Sequence, residues 1–139
     1  MQRGGVLREE RIMQVEGQSI VVQTDTLAPV PFPIPGTTPP DGVTATLVNI
    51  DAARGLVTTI IHIAPGARIP VHYHNDGPEA HYVLSGDFIN AGETLGPGAF
   101  VTHPTGVVHG PHESRTGCSI LTLQSAYVDP ANPDFHIVE

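Results

Sequence analysis

Runs in which every second residue is apolar recur along the chain, separated by clusters of Gly, Pro, Asn and Asp. A period of two marks strands with one buried face, whereas a helix would repeat its apolar positions at three and four. The clearest runs are Thr44–Ile50 and Leu56–Ala64, hinged by the turn formers of Asp51–Gly55. Ala80–Ser85, Ala99–His103, Val107–Pro111 and Ser119–Ala126 follow, with a small hairpin of Phe88–Asn90 and Glu93–Leu95 around Ala91-Gly92. Ser19–Gln23 reads as a further strand, and no helix is predicted.

Three stretches break the alternation. Residues 1–17 carry Arg8, Glu9, Glu10 and Arg11 without periodicity and are expected to fray or to pair with a second subunit. Ala28–Pro40 holds prolines at 29, 31, 33, 35, 39 and 40. Proline lacks the amide donor of a central strand, so this is expected to be an extended or edge segment, with Val30, Phe32 and Ile34 packing onto the body. Asp129–Asp134 is turn-like, and Phe135 and Ile137 are expected to anchor the tail. The organisation predicted is residues 1–43 packing on a barrel of residues 44–128, with a tail of 129–139. No internal repeat is evident.

Composition narrows the class. With 139 residues the chain suits one domain with its own apolar core, and 15 Gly and 14 Pro suit many short strands joined by tight turns. A formal net charge of −8 argues against nucleic acid or an anionic membrane as partner. The first residues show no secretory pattern, and the lone Cys118, read as a packed thiol, excludes an internal disulfide and fits a reducing cytoplasm. A cytoplasmic protein acting on a small-molecule substrate is the expectation.

The chemistry is concentrated in Gly66–Gly86 and just beyond it. His72 and His74 are two apart in extended chain and share a face, while Tyr73 turns away. The turn formers Asn75-Asp76-Gly77-Pro78 let the chain double back and bring Glu79 beside them. With His109 downstream, three imidazoles and a carboxylate form a nitrogen and oxygen set suited to one divalent transition metal per chain, Fe, Mn, Ni, Cu or Zn.

Gly66-x5-His72-x-His74-x4-Glu79-x6-Gly86 resembles the first signature motif of the cupin superfamily, and Gly98-x5-Pro104-x-Gly106-x2-His109 resembles the second. Glu113 stands where that second motif usually ends in Asn, a position that is not a metal ligand. The resemblance implies an all-β fold, a single-domain cupin jelly-roll β-barrel of two facing antiparallel sheets with a cavity between them. It implies metal ligands at His72, His74, Glu79 and His109. Single-barrel cupins are usually dimers, and the edge segment Val30–Ile34 offers apolar surface to cover, so a homodimer is expected.

Counting by twos from Glu79 puts His81, Val83 and Ser85 on the inward face. His81 reads either as the catalytic acid/base beside the metal or as a structural histidine bonded to a neighbouring strand. His103 is expected to be structural, and His62, His112 and His136 surface or network residues. Tyr73 and Tyr82 are expected to turn outward, and Arg68 to be a solvated charge or an anion contact. Cupins span dioxygenases, decarboxylases, isomerases, lyases and sensors. Within that range the chain resembles acetylacetone-cleaving and quercetinase-like dioxygenases and ChrR-type zinc sensors. The first expectation is an Fe(II) dioxygenase acting on a dicarbonyl, aryl ketone or phenolic. The alternatives are a non-redox isomerase or lyase, and a Zn-binding sensory cupin, which would call for a helical partner-binding domain beside the barrel.

Overall fold

A computed structural model describes residues 17–34, 38–125 and 132–139. The expectations for residues 1–16, Pro35, Ala126 and 129–131 lie outside the described residues. The strands are β1 (Val30–Pro31), β2 (Val43–Asp51), β3 (Leu56–Ile63), β4 (Arg68–Ile69), β5 (His72–Tyr73) and β6 (Glu79–Gly86). They continue with β7 (Phe88–Asn90), β8 (Glu93–Leu95), β9 (Phe100–His103), β10 (His112–Glu113), β11 (Cys118–Gln124) and β12 (His136–Ile137). The one helical element among the described residues is a single 3-10 turn, Thr24–Thr26.

Six strands form one antiparallel sheet in the order β1-β2-β3-β11-β6-β9. A four-stranded sheet, β4-β10-β7-β8, faces it, and a two-stranded piece pairs β12 with β5. The alternation accounts for the strands, and their arrangement is the all-β jelly roll that the resemblance to cupins implies. Between the sheets lies an apolar core of Val43, Ile61, Ile63, Ile69, Val83, Phe88, Cys118 and Ile120. Each large side chain buried there contributes about 1.5–3 kcal/mol by leaving water. The Cys118 thiol is part of that core, and burial raises its pKa, so it packs and does not react.

The proline-rich segment lies where its missing donors cost least. Val30 and Pro31 pair with Ala45 and Thr44 at the edge of the large sheet, and the Phe32 amide donates to the Val43 carbonyl at 3.0 Å. Ile34 is buried, and Phe32 packs against the core.

Two motif glycines have direct structural reasons. Gly86 has φ +76°, and a Cβ there would lie 1.9 Å from the Gly117 carbonyl oxygen, closer than any real contact. Gly106, at φ +78°, turns the second motif so that its amide donates to the His74 carbonyl at 2.7 Å. That bond ties the loop before His109 to the strand that presents His72 and His74.

Three strand expectations are corrected. Ser19–Gln23 is irregular and leads into the 3-10 turn: its apolar residues find no partner strand among the described residues, and Val21 is 96% exposed. Val107–Pro111 is not a strand; among the described residues it pairs at His109 alone, through a bridge to His72. Ser85 faces outward and is exposed. The register between β6 and β11 shifts between Ser119 and Ile120, so Ile120 pairs with Val83 while Ser119 pairs with Ser85. The bulged Leu84 reverses the alternation beyond it.

Candidate metal centre

The turn after β5 returns the chain so that β6 starts with Glu79 beside the histidines of the preceding segment. His72, His74, Glu79 and His109 are all buried, and their ligand atoms lie within 4.8 Å of one another. The bridge between His72 and His109, with reciprocal backbone bonds of 3.0 and 2.8 Å, holds the two motifs in register.

What fixes the rings is their outer nitrogen. His72 Nδ1 donates to the Pro70 carbonyl at 2.6 Å, His109 Nδ1 to the Val107 carbonyl at 2.9 Å, and His74 Nδ1 to the Asp134 carbonyl at 2.5 Å. A carbonyl only accepts, so each Nδ1 must carry the proton and each Nε2 keeps its lone pair. The Nε2 atoms of His74 and His109 lie 3.3 and 3.4 Å from Glu79 Oε1, yet neither has a hydrogen-bond partner. Ligand atoms 2.0–2.2 Å from one tetrahedral ion stand roughly 3.3–3.6 Å apart. The donor set, its spacing and its unpartnered lone pairs therefore fit a bound divalent cation.

The tail completes this arrangement. The Phe135 ring stacks on His72 at 4.0 Å, and β12 pairs with β5. The Asp134 carboxylate accepts from the Asn75 and Asp76 amides at 2.8 and 2.7 Å, pinning the turn between His74 and Glu79.

Electrostatics favour the ligating form at His72 and Glu79, while at His74 an ion would have to compete with a proton. Burial pushes the His72 pKa down to about 3, so its imidazole is neutral. Burial alone would raise Glu79, but the neighbouring His81, His109 and His74 more than offset it and hold the carboxylate well below its usual range. Burial pulls His74 down as well, and the Glu79 carboxylate outweighs that, leaving its pKa raised.

His81 lies beside this group. Its Nε2 is 3.0 Å from Glu79 Oε1, and its Nδ1 is 2.9 Å from the Thr122 hydroxyl on the adjacent strand. A hydroxyl both donates and accepts, so the proton can sit on either ring nitrogen.

Two histidines were missed. His103 was expected to be structural and His112 a surface or network residue, but both are buried and gather with His81 into a second group. His103 sits directly opposite Glu79 in the β6–β9 pairing, and its ring stacks on His109 at 3.9 Å and 3°. Burial lowers His103 to about 4, helped by His109, and lowers His112 well below its ordinary value. The signal available was number: six of the eight histidines are buried, more than a structural scatter supplies. The other two have ordinary roles. His62 bridges Thr46 and Ser119, and His136 bonds Asp134. Arg68 forms a bidentate ion pair with Glu139, so its charge is met within the chain. Tyr82 is 44% exposed, and Tyr73 stacks on His136.

Glu79 and Thr122 line a cavity of about 400 Å³. Its walls are mostly apolar: Val30, Phe32 and Pro33 from the proline-rich segment, Ala45, Leu47, Val57 and Ile61 from β2 and β3, and Phe135 from the tail. Such a space suits a small ligand with an apolar body and a few polar atoms.

Solved structures of similar shape come from several enzymes. The polyketide cyclase RemF from Streptomyces resistomycificus superposes with a TM-score of 0.70 at 21% identity, covering 88% of this chain and 87% of that one. An acetylacetone dioxygenase from Acinetobacter johnsonii gives 0.65 at 20% identity, over 78% and 74%. A predicted oxalate decarboxylase from Thermotoga maritima gives 0.64 at 19% identity, over 76% and 98%. At these identities the likeness speaks for the fold alone. No protein of curated function matches the sequence. The family model of the ChrR Cupin-like domain matches residues 17–128. That span takes in every strand from β1 to β11, and the chain therefore belongs to the cupin superfamily, in the family of the ChrR Cupin-like domain.

Proposed function

We propose that this cupin is a metal-dependent dioxygenase that cleaves a small oxygenated organic molecule, a dicarbonyl, aryl ketone or phenolic. The observation that carries the reading is the largely apolar cavity lined in part by Glu79, the carboxylate of the histidine group. His72, His74, Glu79 and His109 would hold one divalent ion, Fe(II) by first choice. The ion supplies Lewis acidity and, as iron, access to one-electron chemistry with dioxygen.

The chain's own groups then have distinct tasks. The apolar walls orient the substrate body and exclude water, leaving its oxygen atoms to face Glu79. The Thr122 hydroxyl steadies His81, whose Nε2 accepts and returns a proton beside Glu79. The similarity to an acetylacetone dioxygenase supports a dicarbonyl as the first substrate to try.

Oxygen uptake by the Fe(II)-loaded protein with small β-dicarbonyls, flavonols and hydroxylated aryl ketones tests the reading. Consumption above the metal-free control is expected. None with any of the three classes would contradict it.

A non-redox reaction is the second reading, favoured by His81 with its two partners and by the likeness to a polyketide cyclase. Zn would suffice there, and substrate turnover without oxygen uptake would distinguish it. The third, a Zn-binding sensory role, rests on the family match alone.

We also propose a cytoplasmic homodimer. Its support is the sheet edge at β1 and the exposed apolar residues Tyr82, Leu84 and Phe100. Light scattering of the full chain at micromolar concentration checks it; a monomeric mass would count against it. No helix among the described residues is long and apolar enough to cross a membrane.

A further inference from the structure

Next to the quartet is a second set of three imidazoles, only one of which has a task in the reading above. His81 comes from β6, His103 from the end of β9 and His112 from β10, and their ligand nitrogens lie within 4.8 Å of one another. His112 is 1% exposed, and neither of its ring nitrogens has a partner. His103 Nε2, also buried, has none either. Each buried polar atom left without a partner costs about 1–3 kcal/mol. Several such lone pairs facing one another in a barrel otherwise built of Ile, Val and Phe call for an electrophile among them.

We propose that His81, His103 and His112 form a second divalent transition-metal site, joined to the first through the Glu79 carboxylate. The proposal rests on the reading of His72, His74, Glu79 and His109 as a metal centre. Glu79 Oε1 is 3.3 and 3.4 Å from His74 and His109 in the first set, and 3.0 Å from His81 in the second. One oxygen thus borders both groups. The parallel stack of His103 on His109, at 3.9 Å, sets one donor ring from each group side by side. Ions in two-metal sites stand about 3.5–4 Å apart, close enough for one carboxylate to serve both.

Three imidazoles suit Zn, Cu, Ni or Fe and not Mg or Ca. The Thr122 hydroxyl can accept the Nδ1 proton of His81 and so free its Nε2 for an ion. The protein would then have two states. With one ion bound, His81 is free to move a proton; with two, it is a ligand.

The test is Co(II) binding to the full chain after chelator treatment, counted by equilibrium dialysis and elemental analysis. Wild type is expected to take up two equivalents per chain. His112→Ala and His103→Gln should each retain one, and His72→Ala should lose one. Circular dichroism melting identifies any variant that fails to fold, and His103→Gln, less buried than His112, is the safer probe. At two equivalents the cobalt EPR signal per ion should fall relative to one equivalent, because ions sharing a carboxylate couple magnetically. A single equivalent in wild type that His72→Ala abolishes, and that His112→Ala and His103→Gln leave unchanged, would overturn the second site and leave the first standing. No binding to folded wild type would overturn both.

Discussion

Two groups of three buried histidines share one carboxylate, and they differ in what holds the other ring nitrogen. In His72, His74 and His109 every Nδ1 meets a backbone carbonyl. In the second group His81 meets a hydroxyl, and His112 meets nothing at either nitrogen. A carbonyl permits a single tautomer and aims an Nε2 lone pair at Glu79. A hydroxyl permits two, so the same residue type a few ångströms away keeps the freedom to carry a proton. The difference teaches that position in the barrel does not fix a histidine's chemistry. The acceptor behind the ring does.

The largest expected effect comes from breaking the carbonyl-pinned group. His72→Ala or His74→Ala should lower affinity for the quartet's ion more than 100-fold, since loss of a supporting partner alone typically costs 10–100-fold. Elemental analysis after dialysis checks it, and unchanged binding in both variants would dissolve the distinction between the groups.

His81→Ala should act differently. It should keep the ion at the carbonyl-pinned group and lower turnover by roughly 100-fold, the usual contribution of a positioned acid/base. His81→Gln, which hydrogen-bonds but cannot carry a proton, should lose activity as well. If Gln restores both activity and melting temperature, His81 is structural.

A smaller effect is expected from the hydroxyl itself. Thr122→Val keeps the shape of a buried side chain but leaves His81 Nδ1 without its partner. Turnover should fall by roughly 10-fold, less than the loss of the acid/base itself, and Thr122→Ser should recover most of it.

How these groups were legible in sequence follows the same division. The first was readable because its members lie in local, signal-rich chain: alternation places His72 with His74, and the turn formers before Glu79 explain its return. His109 came through the second motif. The second group depends on which strands become neighbours. His103 faces Glu79 only because β9 pairs with β6, and His112 reaches the interior from a two-residue strand held between β4 and β7. No local pattern encodes that pairing. Ser85 was misplaced for a related reason: a one-residue bulge is invisible to counting by twos. The strands of the large sheet were legible because each is long enough to show its period, apart from two-residue β1. A cavity was expected from the fold, but its lining was not, since the proline-rich segment and the tail join β2 and β3 in its walls.

The smallest effect lies outside both groups and serves as their control. Asp87 accepts from the Ser114 and Thr116 hydroxyls and the Arg115 and Thr116 amides, and these bonds hold its carboxyl well below the usual range. A carboxyl depressed on folding contributes stability above its unfolded pKa of about 3.9 and loses it as pH falls toward the folded value. Asp87→Asn should therefore lower the melting temperature by a few degrees at most at pH 7, by less at pH 3, and leave metal content untouched. An equal shift at both pH values would contradict this account of the turn.

Anomalous X-ray diffraction from crystals of the protein purified without added metal tests the central claim most directly. The account predicts a transition-metal peak about 2.0–2.2 Å from Nε2 of His72, His74 and His109 and from a Glu79 oxygen, with the absorption edge naming the element. Well-ordered density for those four side chains with no anomalous peak among them would contradict it.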